Sequence, residues 1–144
     1  MVLQDEHMDV RILKTGQFGE IVVEPQHIFT FQDGLLGFEE LREFVLINDE
    51  NTAPIRWLIS LEDPTIGFPV ISPLFIDDAY TAGRDYTEAQ RHSVLVIVTL
   101  SQGGITANMK APVVLDVLEQ EGKQVILSSD KHSPHHPLAK QSQA

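Results

Sequence analysis

The chain has no cysteine and comparatively few basic residues. Without cysteine it can form no disulfide, and it offers neither a thiol nucleophile nor a thiolate metal ligand. Its 10 lysines and arginines are outnumbered by 21 aspartates and glutamates, which gives a formal net charge of −11. Because nucleic-acid affinity depends on basic side chains that displace counterions, this balance argues against direct binding of RNA or DNA.

Long apolar runs are also missing. The longest, residues 94–98 with Leu100 beyond Thr99, falls far short of the ~20 residues that a membrane-spanning helix needs. The first ten residues, MVLQDEHMDV, lack the positive and apolar regions of a signal peptide. We therefore expect a cytoplasmic protein, with residues 1–9 forming a flexible amino terminus.

The motifs of common enzyme sites are absent. There is no G-x-S-x-G sequence, and Gly34 and Gly37 are followed by Phe38 and Glu39 rather than by the Lys-Ser/Thr of a phosphate-binding loop. We interpret these glycines as turn residues that let Leu35 and Phe38 pack inward. Carboxylates that are neighbours on a strand point to opposite faces, so the adjacent acidic pairs do not favour acid–base catalysis. No catalytic residue is assigned.

Three histidines near the carboxyl terminus, His132, His135 and His136, are of a residue type that binds zinc or nickel. They lie beside prolines in a polar segment with no cysteine to complete a site. We predict no metal and no cofactor, and we expect residues 131–144 to form an extended tail, at least partly mobile.

Most of the chain alternates apolar and polar residues with a period of two, which is typical of strands. This pattern predicts a single β domain over residues 10–130, and three pairs of strands are joined by turns that favour hairpins. The predicted strands are residues 10–14 and 19–24, 55–61, 68–71, 93–100 and 105–109, and 113–118 and 123–127.

Helix is predicted in two short segments only. Phe38, Leu41 and Phe44 or Val45 have a helical spacing, and residues 85–91 could form a second helix capped by Asp85. We therefore predict a mainly β fold: a small antiparallel, partly closed β-barrel, or a sandwich, with one or two short helices.

Negative charge is concentrated between Asp33 and Asp85, where there are 11 carboxylates and three arginines. The same region holds the only tryptophan, Trp57, whose alternation with Arg56 and Leu58 places it on the core face of a strand. An acidic surface on a rigid frame is better suited to binding a basic partner than to catalysing a reaction. The candidate partner-binding residues are Asp33, Glu39, Glu40, Glu43, Glu62, Asp63, Asp77 and Asp78.

Six motifs occur in an order that resembles the flagellar assembly factor FliW family. They are FGE at 18–20, F-x-D-G-L-x-G-F at 31–38, W-L-x-S-L-E-D-P at 57–64, F-P-V-I-x-P at 68–73, T-A-N-M-K-A-P at 106–112 and G-K-Q-V-I-L at 122–127. The resemblance assigns motif or structural roles to Phe18, Gly34, Leu35, Gly37, Phe38, Trp57, Pro64, Phe68, Pro69, Pro73, Asn108, Pro112 and Gln124.

The resemblance implies a bacterial, cytoplasmic, non-enzymatic protein with a small barrel-like fold. Proteins of this family bind the translational regulator CsrA, which relieves repression of flagellin mRNA, and they also bind flagellin. The exchange of partners couples flagellin synthesis to assembly.

Two other functions are considered. A β-barrel that binds a carbohydrate or metabolite would use Trp57 and neighbouring aromatic residues to line a pocket. A hydrolase would use the acidic pairs. The periodicity around Trp57 favours core packing over a pocket.

Overall fold

The computed structural model describes residues 11–101 and 103–138, so the expectation for residues 1–9 lies outside the described residues. Short strands account for most of the regular structure. In chain order they are β1 (Arg11–Thr15), β2 (Gly19–Val23), β3 (Ile28–Phe31), β4 (Glu43–Asn48), β5 (Arg56–Ser60), β6 (Gly67–Ile71), β7 (His92–Ser101), β8 (Gly104–Ala107), β9 (Val113–Asp116), β10 (Glu121–Gln124) and β11 (His136–Pro137).

Seven of these strands close into a barrel. Their order is β7-β6-β5-β4-β3-β10-β9, and β9 pairs again with β7 to complete the ring. Within this ring the pairs are antiparallel except β3–β10, which is parallel over two residue pairs. The predicted mainly β barrel is confirmed, and it is closed rather than partly closed.

The barrel interior is filled by large apolar side chains, as the period-two alternation predicts. Six of the seven strands send inward side chains into one cluster, because successive side chains point to opposite faces, while β10 places Gly122 against the Phe31 ring. The buried members of this cluster are Phe29, Phe31, Leu35, Phe44, Leu58, Val70, Leu95, Val113 and Leu115.

Two further apolar clusters cover the outside of the barrel. The hairpin β1–β2 packs its inward residues Leu13, Ile21 and Val23 against Val45 and Ile59 of β4 and β5. On the other side, Tyr80, Leu127 and Leu138 pack with buried residues of β7 and β8. Both faces of the central strands are therefore buried.

The helix predicted around Phe38 to Val45 is wrong. Turns occupy residues 36–37 and 39–40, Phe38 forms an isolated β-bridge with Leu35, and strand β4 begins at Glu43. Phe44 enters the barrel interior while Val45 enters the outer cluster beneath the hairpin. A strand that is buried on both faces has a continuous run of apolar residues in its sequence. The period of the apolar residues does not distinguish such a strand from a short helix.

The second predicted helix is only a single 3₁₀ turn, Arg84–Tyr86. Its N-cap residue is Gly83 and not the predicted Asp85. Two other 3₁₀ turns, Pro25–His27 and Pro73–Phe75, each begin at a proline. No helix among the described residues is long and apolar enough to cross a membrane.

The first part of the carboxyl-terminal segment lies against the barrel. His136–Pro137 forms β11 beside β8, and the Leu138 amide donates to the Ile105 carbonyl at 3.0 Å. The Met109 amide donates to the Ser133 carbonyl at 3.0 Å, and His132 packs edge-on against Tyr80. Residues 128–138 are called the strap below.

Candidate partner-binding surface

Two acidic stretches that are distant in sequence meet at the start of β4. The Glu62 carboxylate accepts hydrogen bonds from the amides of Arg42 and Glu43, both at 3.1 Å. These contacts bring the loop before β4 next to the turn after β5. The structure therefore groups the predicted residues Glu39, Glu40, Glu43, Glu62 and Asp63 in one region.

Several of these carboxylates accept hydrogen bonds from residues close by in the chain. Glu39 accepts from the Gly37 amide at 3.1 Å, and Asp63 accepts from the Thr65 hydroxyl at 2.6 Å. Glu43 lies 3.8 Å from Arg11 of β1. A carboxylate that is already hydrogen-bonded has less freedom to bind a partner, so Glu40, which is exposed, is the freest member of this group.

Asp77 and Asp78 lie apart from that group. They follow the 3₁₀ turn Pro73–Phe75, in the loop that carries Tyr80 onto the outer cluster of β7 and β8. Asp77 accepts from the Ala79 amide at 3.0 Å, whereas Asp78 is exposed. The predicted acidic residues therefore do not form one continuous surface.

A chain of aromatic rings links the loop before β4 to the barrel interior. Phe38, which was predicted to pack inward, is instead 37% exposed and packs edge-on against Phe68 at 5.0 Å between centroids. Phe68 contacts Phe44, which packs against Phe31 at 5.2 Å. This arrangement ties the shape of the exposed loop to the rigid core.

The glycine Gly34 is required where this loop turns. Its φ is +64°, and an added Cβ would lie 2.6 Å from the Phe38 carbonyl oxygen and the Glu39 Cα. Both the conformation and the space therefore exclude a side chain. Leu35, beside it, is buried in the barrel interior.

Three motif residues near the carboxyl-terminal end link separate segments. The Gln124 side chain accepts from the Leu36 amide at 2.8 Å and donates to the Ala111 carbonyl at 3.0 Å. The Asn108 side chain accepts from the amides of Lys110 and Ala111. The Pro112 carbonyl accepts from the Val125 amide at 2.9 Å, so these residues hold the chain between β8 and β10 in place.

Trp57 packs outside the barrel, beneath the hairpin β1–β2. Its ring meets Phe18 edge-on at 5.7 Å, and its Nε1 donates to the Thr52 hydroxyl at 3.0 Å. The alternation with Leu58 was predicted correctly, but Leu58 faces the barrel interior and Trp57 faces the outer cluster. Pro69 pairs with Trp57 across the β5–β6 ladder.

A small-ligand protein would build a pocket around Trp57, but neither of two cavities found among the described residues involves this side chain. The smaller, about 220 Å³, lies in the loop between β4 and β5 and includes Pro54 and Ile55. The larger, about 430 Å³, lies on the other side of the barrel ring. Neither is lined by Trp57.

The larger cavity is an open groove on the outer face of β3, β10, β9 and β7, and we call it the outer groove. Asp33 is the one predicted partner-binding residue that lines it. The groove is lined by Thr30, Gln32, Asp33, Tyr86, His92, Val114, Asp116, Glu121, Gly122 and Lys123.

One carboxylate of the outer groove is already paired. Asp116 accepts from the amides of Leu118 and Glu119, and from Nε of Arg91 at 2.8 Å. These contacts lower the pKa of Asp116, and the hydrogen bond from the Glu119 amide has the largest effect. Arg91, in turn, has its pKa raised by its hydrogen bond to Asp116.

Aromatic side chains form another wall of the groove. Tyr86 and His92 pack edge-on at 5.7 Å, and the Lys123 ammonium lies 5.0 Å from the centre of the Tyr86 ring. The pKa of Lys123 is raised, chiefly by its interaction with the Tyr86 side chain. Sequence reasoning missed these residues because they lie on a 3₁₀ turn and two strands that are distant in sequence.

The histidines considered for a metal do not gather with other ligands. His132 packs on Tyr80, and His136 lies in β11. Within residues 11–101 and 103–138, no three His, Cys, Asp or Glu side chains are placed to hold a metal ion.

Comparison with known proteins identifies the family. The family model described as "FliW protein" matches residues 12–138, from the first strand to the end of the strap. The chain belongs to the FliW family.

Relatives of the FliW family resemble the chain over most of its length. A flagellar assembly factor FliW of Thermosipho africanus is 35% identical over 134 residues, which cover 85% of this chain and 92% of the relative. One of Thermotoga petrophila is 33% identical over 136 residues, or 87% of this chain and 91% of the relative.

A crystal structure of the flagellar assembly factor FliW has the same fold. It superposes with a TM-score of 0.80 at 31% sequence identity and covers 91% of this chain and 99% of that chain. The FliW barrel described here, with its hairpin and strap, is therefore that of an assembly-factor family.

Proposed function

We propose that this FliW family member binds CsrA and thereby relieves repression of flagellin mRNA, and that it also binds flagellin. The observation that carries the proposal is the family match over residues 12–138. The formal net charge of −11 supports it, because a protein that holds RNA presents basic surface and complementary potentials speed encounter. The proposed role is non-catalytic and cytoplasmic.

Partner exchange is the proposed mechanism. While flagellin is abundant in the cell it occupies the protein, and once flagellin is exported the released protein binds CsrA. Flagellin synthesis then follows filament assembly. In this mechanism the two partners lower each other's affinity, because binding free energies are coupled reciprocally.

The proposed contact residues are the eight acidic residues identified from the sequence, and the structure sorts them for testing. Four of them accept hydrogen bonds from backbone amides or from a side-chain hydroxyl, so their replacement would also disturb the fold. These four are Glu39, Glu62, Asp63 and Asp77. Glu40 and Asp78 are exposed and are the better test positions.

The exchange is tested by calorimetric titration of the purified protein with CsrA, with and without saturating flagellin. We expect CsrA to bind, and we expect flagellin to reduce its apparent affinity by at least about tenfold, the effect of a coupling free energy of about 1.4 kcal/mol. Bovine serum albumin at the same concentration is the control for crowding. An unchanged CsrA affinity would rule out exchange, and no CsrA binding at all would rule out the proposed function.

The acidic contact is tested by the association rate of CsrA with the variant Glu40→Lys. A charge at the rim of an interface acts mainly on the association rate and its salt dependence. We expect the rate to fall about twofold to fivefold, the range for exposed charge pairs, and to depend less on salt.

The matched control for that experiment is Glu50→Lys, the same change at an exposed glutamate in the loop between β4 and β5. Equal rates for the two variants would falsify a specific contact at Glu40. General attraction by the net charge of the protein would then account for the association rate.

A further inference from the structure

The strap occupies one edge of strand β8. One side of β8 pairs with β7, and among the described residues its outer side pairs with β11 alone. The amide of Leu138 in the strap donates to the Ile105 carbonyl at 3.0 Å, so the backbone groups of Ile105 face the strap. The amides and carbonyls of a sheet edge are a template for a further strand. The strap is therefore the segment that closes this edge.

Few contacts hold the strap in place. Strand β11 is two residues long, and residues 128–131 before it are exposed. The Lys110 ammonium donates to the Ser129 carbonyl at 2.8 Å and lies 3.7 Å from Asp130, whose side chain is fully exposed. An ion pair of this kind contributes little to stability. Segments with few buried contacts open at a low free energy, so the strap can leave β8 while the barrel stays folded.

The surface beneath the strap is apolar. His132 packs edge-on against Tyr80 at 4.7 Å between ring centroids. Leu138 packs against the outer cluster that includes the buried residues Ala107 and Met109. Opening of the strap would therefore leave apolar side chains beside the unpaired backbone of β8. Such a surface fits an extended segment that supplies both backbone hydrogen bonds and apolar side chains.

An exposed apolar row continues this surface beyond the strap. Leu100 is paired with Ile105 across the β7–β8 ladder, and Ile105 is hydrogen-bonded in turn to Leu138. Cross-strand neighbours share a face, so the three side chains form one row. Leu100 is 77% exposed and Ile105 is 47% exposed, even with the strap in place. A more apolar segment in place of the strap would bury area that the strap leaves open.

Pro137 prevents a further strand from pairing with the outside of the strap. In an antiparallel ladder, successive residues point their backbone groups to opposite sides. Because Leu138 is hydrogen-bonded to β8, the backbone of Pro137 faces away from β8, where proline has no amide to donate. A partner strand therefore joins this sheet by replacing the strap rather than by lying outside it.

From these observations we propose that the edge of β8 binds an extended segment of a protein partner, with apolar residues at alternate positions, in place of the strap. The segment pairs with Gly104–Ala107, and its apolar side chains cover Ile105 and Leu100. An amphipathic helix fits this site less well, because it would leave the edge amides and carbonyls of β8 unpaired. The strap is the weaker occupant, since it contains two prolines, at 134 and 137, and proline is depleted in strands.

The inference is tested by NMR titration of the ¹⁵N-labelled protein with a synthetic octapeptide, in which threonine and valine alternate between two terminal lysines. We expect saturable shifts of the amides of Ile105, Ala107 and Met109. The matched probe has the same composition and charge, but its threonines all precede its valines, so it lacks an apolar face and should cause no saturable shift. Equal responses to the two peptides, or no response to either, would overturn the inference.

Locking the strap closed tests the displacement. Ala107→Cys and His136→Cys place two thiols at a hydrogen-bonded pair of the β8–β11 ladder, where Cα atoms about 5.5 Å apart suit a disulfide. The chain has no cysteine of its own to compete. Oxidation should weaken peptide binding at least about tenfold, because apparent affinity falls with the fraction of protein that can bind, and dithiothreitol should restore it. Unchanged affinity after oxidation would show that the strap is not displaced, and the inference would be wrong.

Loosening the strap should have the opposite effect. Lys110→Met removes the hydrogen bond to the Ser129 carbonyl and the ion pair with Asp130. We expect peptide binding about threefold tighter, within the range for an exposed ion pair. The control is Lys14→Met, which makes the same charge change at an exposed position of β1. Equal affinities in the two variants would contradict a strap that competes with the peptide.

The inference does not depend on the proposed function, because the peptide titration uses neither CsrA nor flagellin. If the alternating peptide binds at β8 and CsrA does not bind at all, the proposed function fails and the inference stands. If CsrA binds and the peptide does not, the inference fails and the proposed function stands.

Discussion

Residues of one chemical type have different roles in this protein. Glu62 accepts two backbone amides at the start of β4, whereas Glu40 is exposed and Glu121 lines the outer groove. The difference comes from what each carboxylate meets in space. A count of acidic residues therefore locates negative charge but does not show which carboxylates are free to bind.

Tyr80 shows how burial changes the chemistry of one side chain. Its hydroxyl donates to the Met109 carbonyl at 2.7 Å, and only 8% of the residue is exposed. Burial, aided by the nearby charge of Asp77, raises the pKa of Tyr80 to about 12. Burial disfavours the phenolate because the charged form loses its hydration.

This pKa predicts how stability changes at alkaline pH. The folded protein keeps the Tyr80 proton more strongly than the unfolded chain, so this contribution is complete below a pH of about 10 and is lost as pH rises towards 12. Tyr80→Phe should lower the free energy of unfolding by about 0.5–1.5 kcal/mol at neutral pH through loss of the hydrogen bond.

The measurement is urea unfolding of the wild type and of Tyr80→Phe from pH 8 to pH 12. The difference between the two proteins should shrink as pH passes 10. A constant difference to pH 12 would show that the Tyr80 pKa is not raised.

At the scale of elements, the hairpin β1–β2 is a cover rather than part of the barrel. It forms its own two-stranded sheet and contributes Leu13, Ile21 and Val23 to the cluster around Trp57. Its opposite face leaves Ile12 and Val22 exposed at 67% and 65%. An isolated hairpin is marginally stable, so apolar contact with β4 and β5 must hold it in place.

Shortening Phe18 should loosen this cover. Phe18→Ala removes the ring that packs edge-on against Trp57, and we expect a loss of about 1–2 kcal/mol, less than for a fully buried ring. Trp57 emission should shift to the red as water reaches the indole. Since Trp57 is the only tryptophan, its fluorescence reports this cluster alone.

Ile12→Ala is the control, because Ile12 lies on the exposed face of the same hairpin and should change stability by no more than about 0.5 kcal/mol. If the two variants behave alike, the hairpin does not depend on the cluster.

At the scale of the whole molecule, closure of the barrel joins distant parts of the chain. The β7–β9 ladder completes the ring, and β10 pairs in parallel with β3, about 90 residues earlier. Leu115 of β9 is fully buried in the interior that all seven strands share. We therefore expect the barrel to unfold as one cooperative unit.

Leu115→Ala should reduce the free energy of unfolding by about 2–5 kcal/mol, as is usual when a buried leucine leaves a cavity. Hydrogen exchange should show that amides of β4 and β5 lose protection together with those of β9. The control is Leu118→Ala, three residues away and 69% exposed, which should be nearly neutral. Loss of protection confined to β9 would contradict a single cooperative barrel.

Sequence patterns predicted the elements whose local signals agree. The three hairpins were predicted because alternating strands flank turn residues, and all three form. The last strand is displaced from its predicted position, since β10 spans Glu121–Gln124 rather than residues 123–127. Strand β4 was missed because its apolar run fills two clusters at once. Strand β3 was also missed, and strand β11 has only two residues and depends on the edge of β8.

The candidate site was less predictable than the fold. The acidic residues were found, but their separation into backbone supports and exposed carboxylates depends on hydrogen bonds such as those of Glu62. The outer groove was missed because its residues come from three separate segments: Tyr86 from a 3₁₀ turn, His92 from β7, and Glu121 and Lys123 from β10. No spacing rule links residues that meet only through sheet pairing.

The sequence by itself determined the absence of cysteine chemistry, the excess of negative charge, the mainly β character and the resemblance to FliW, because composition, period and motif order are properties of the linear chain. Only the tertiary structure decided that the barrel is closed, that Trp57 faces outward beneath the hairpin, and which carboxylates remain free. Those features depend on the pairing of distant strands, where register rather than sequence neighbourhood determines which side chains meet.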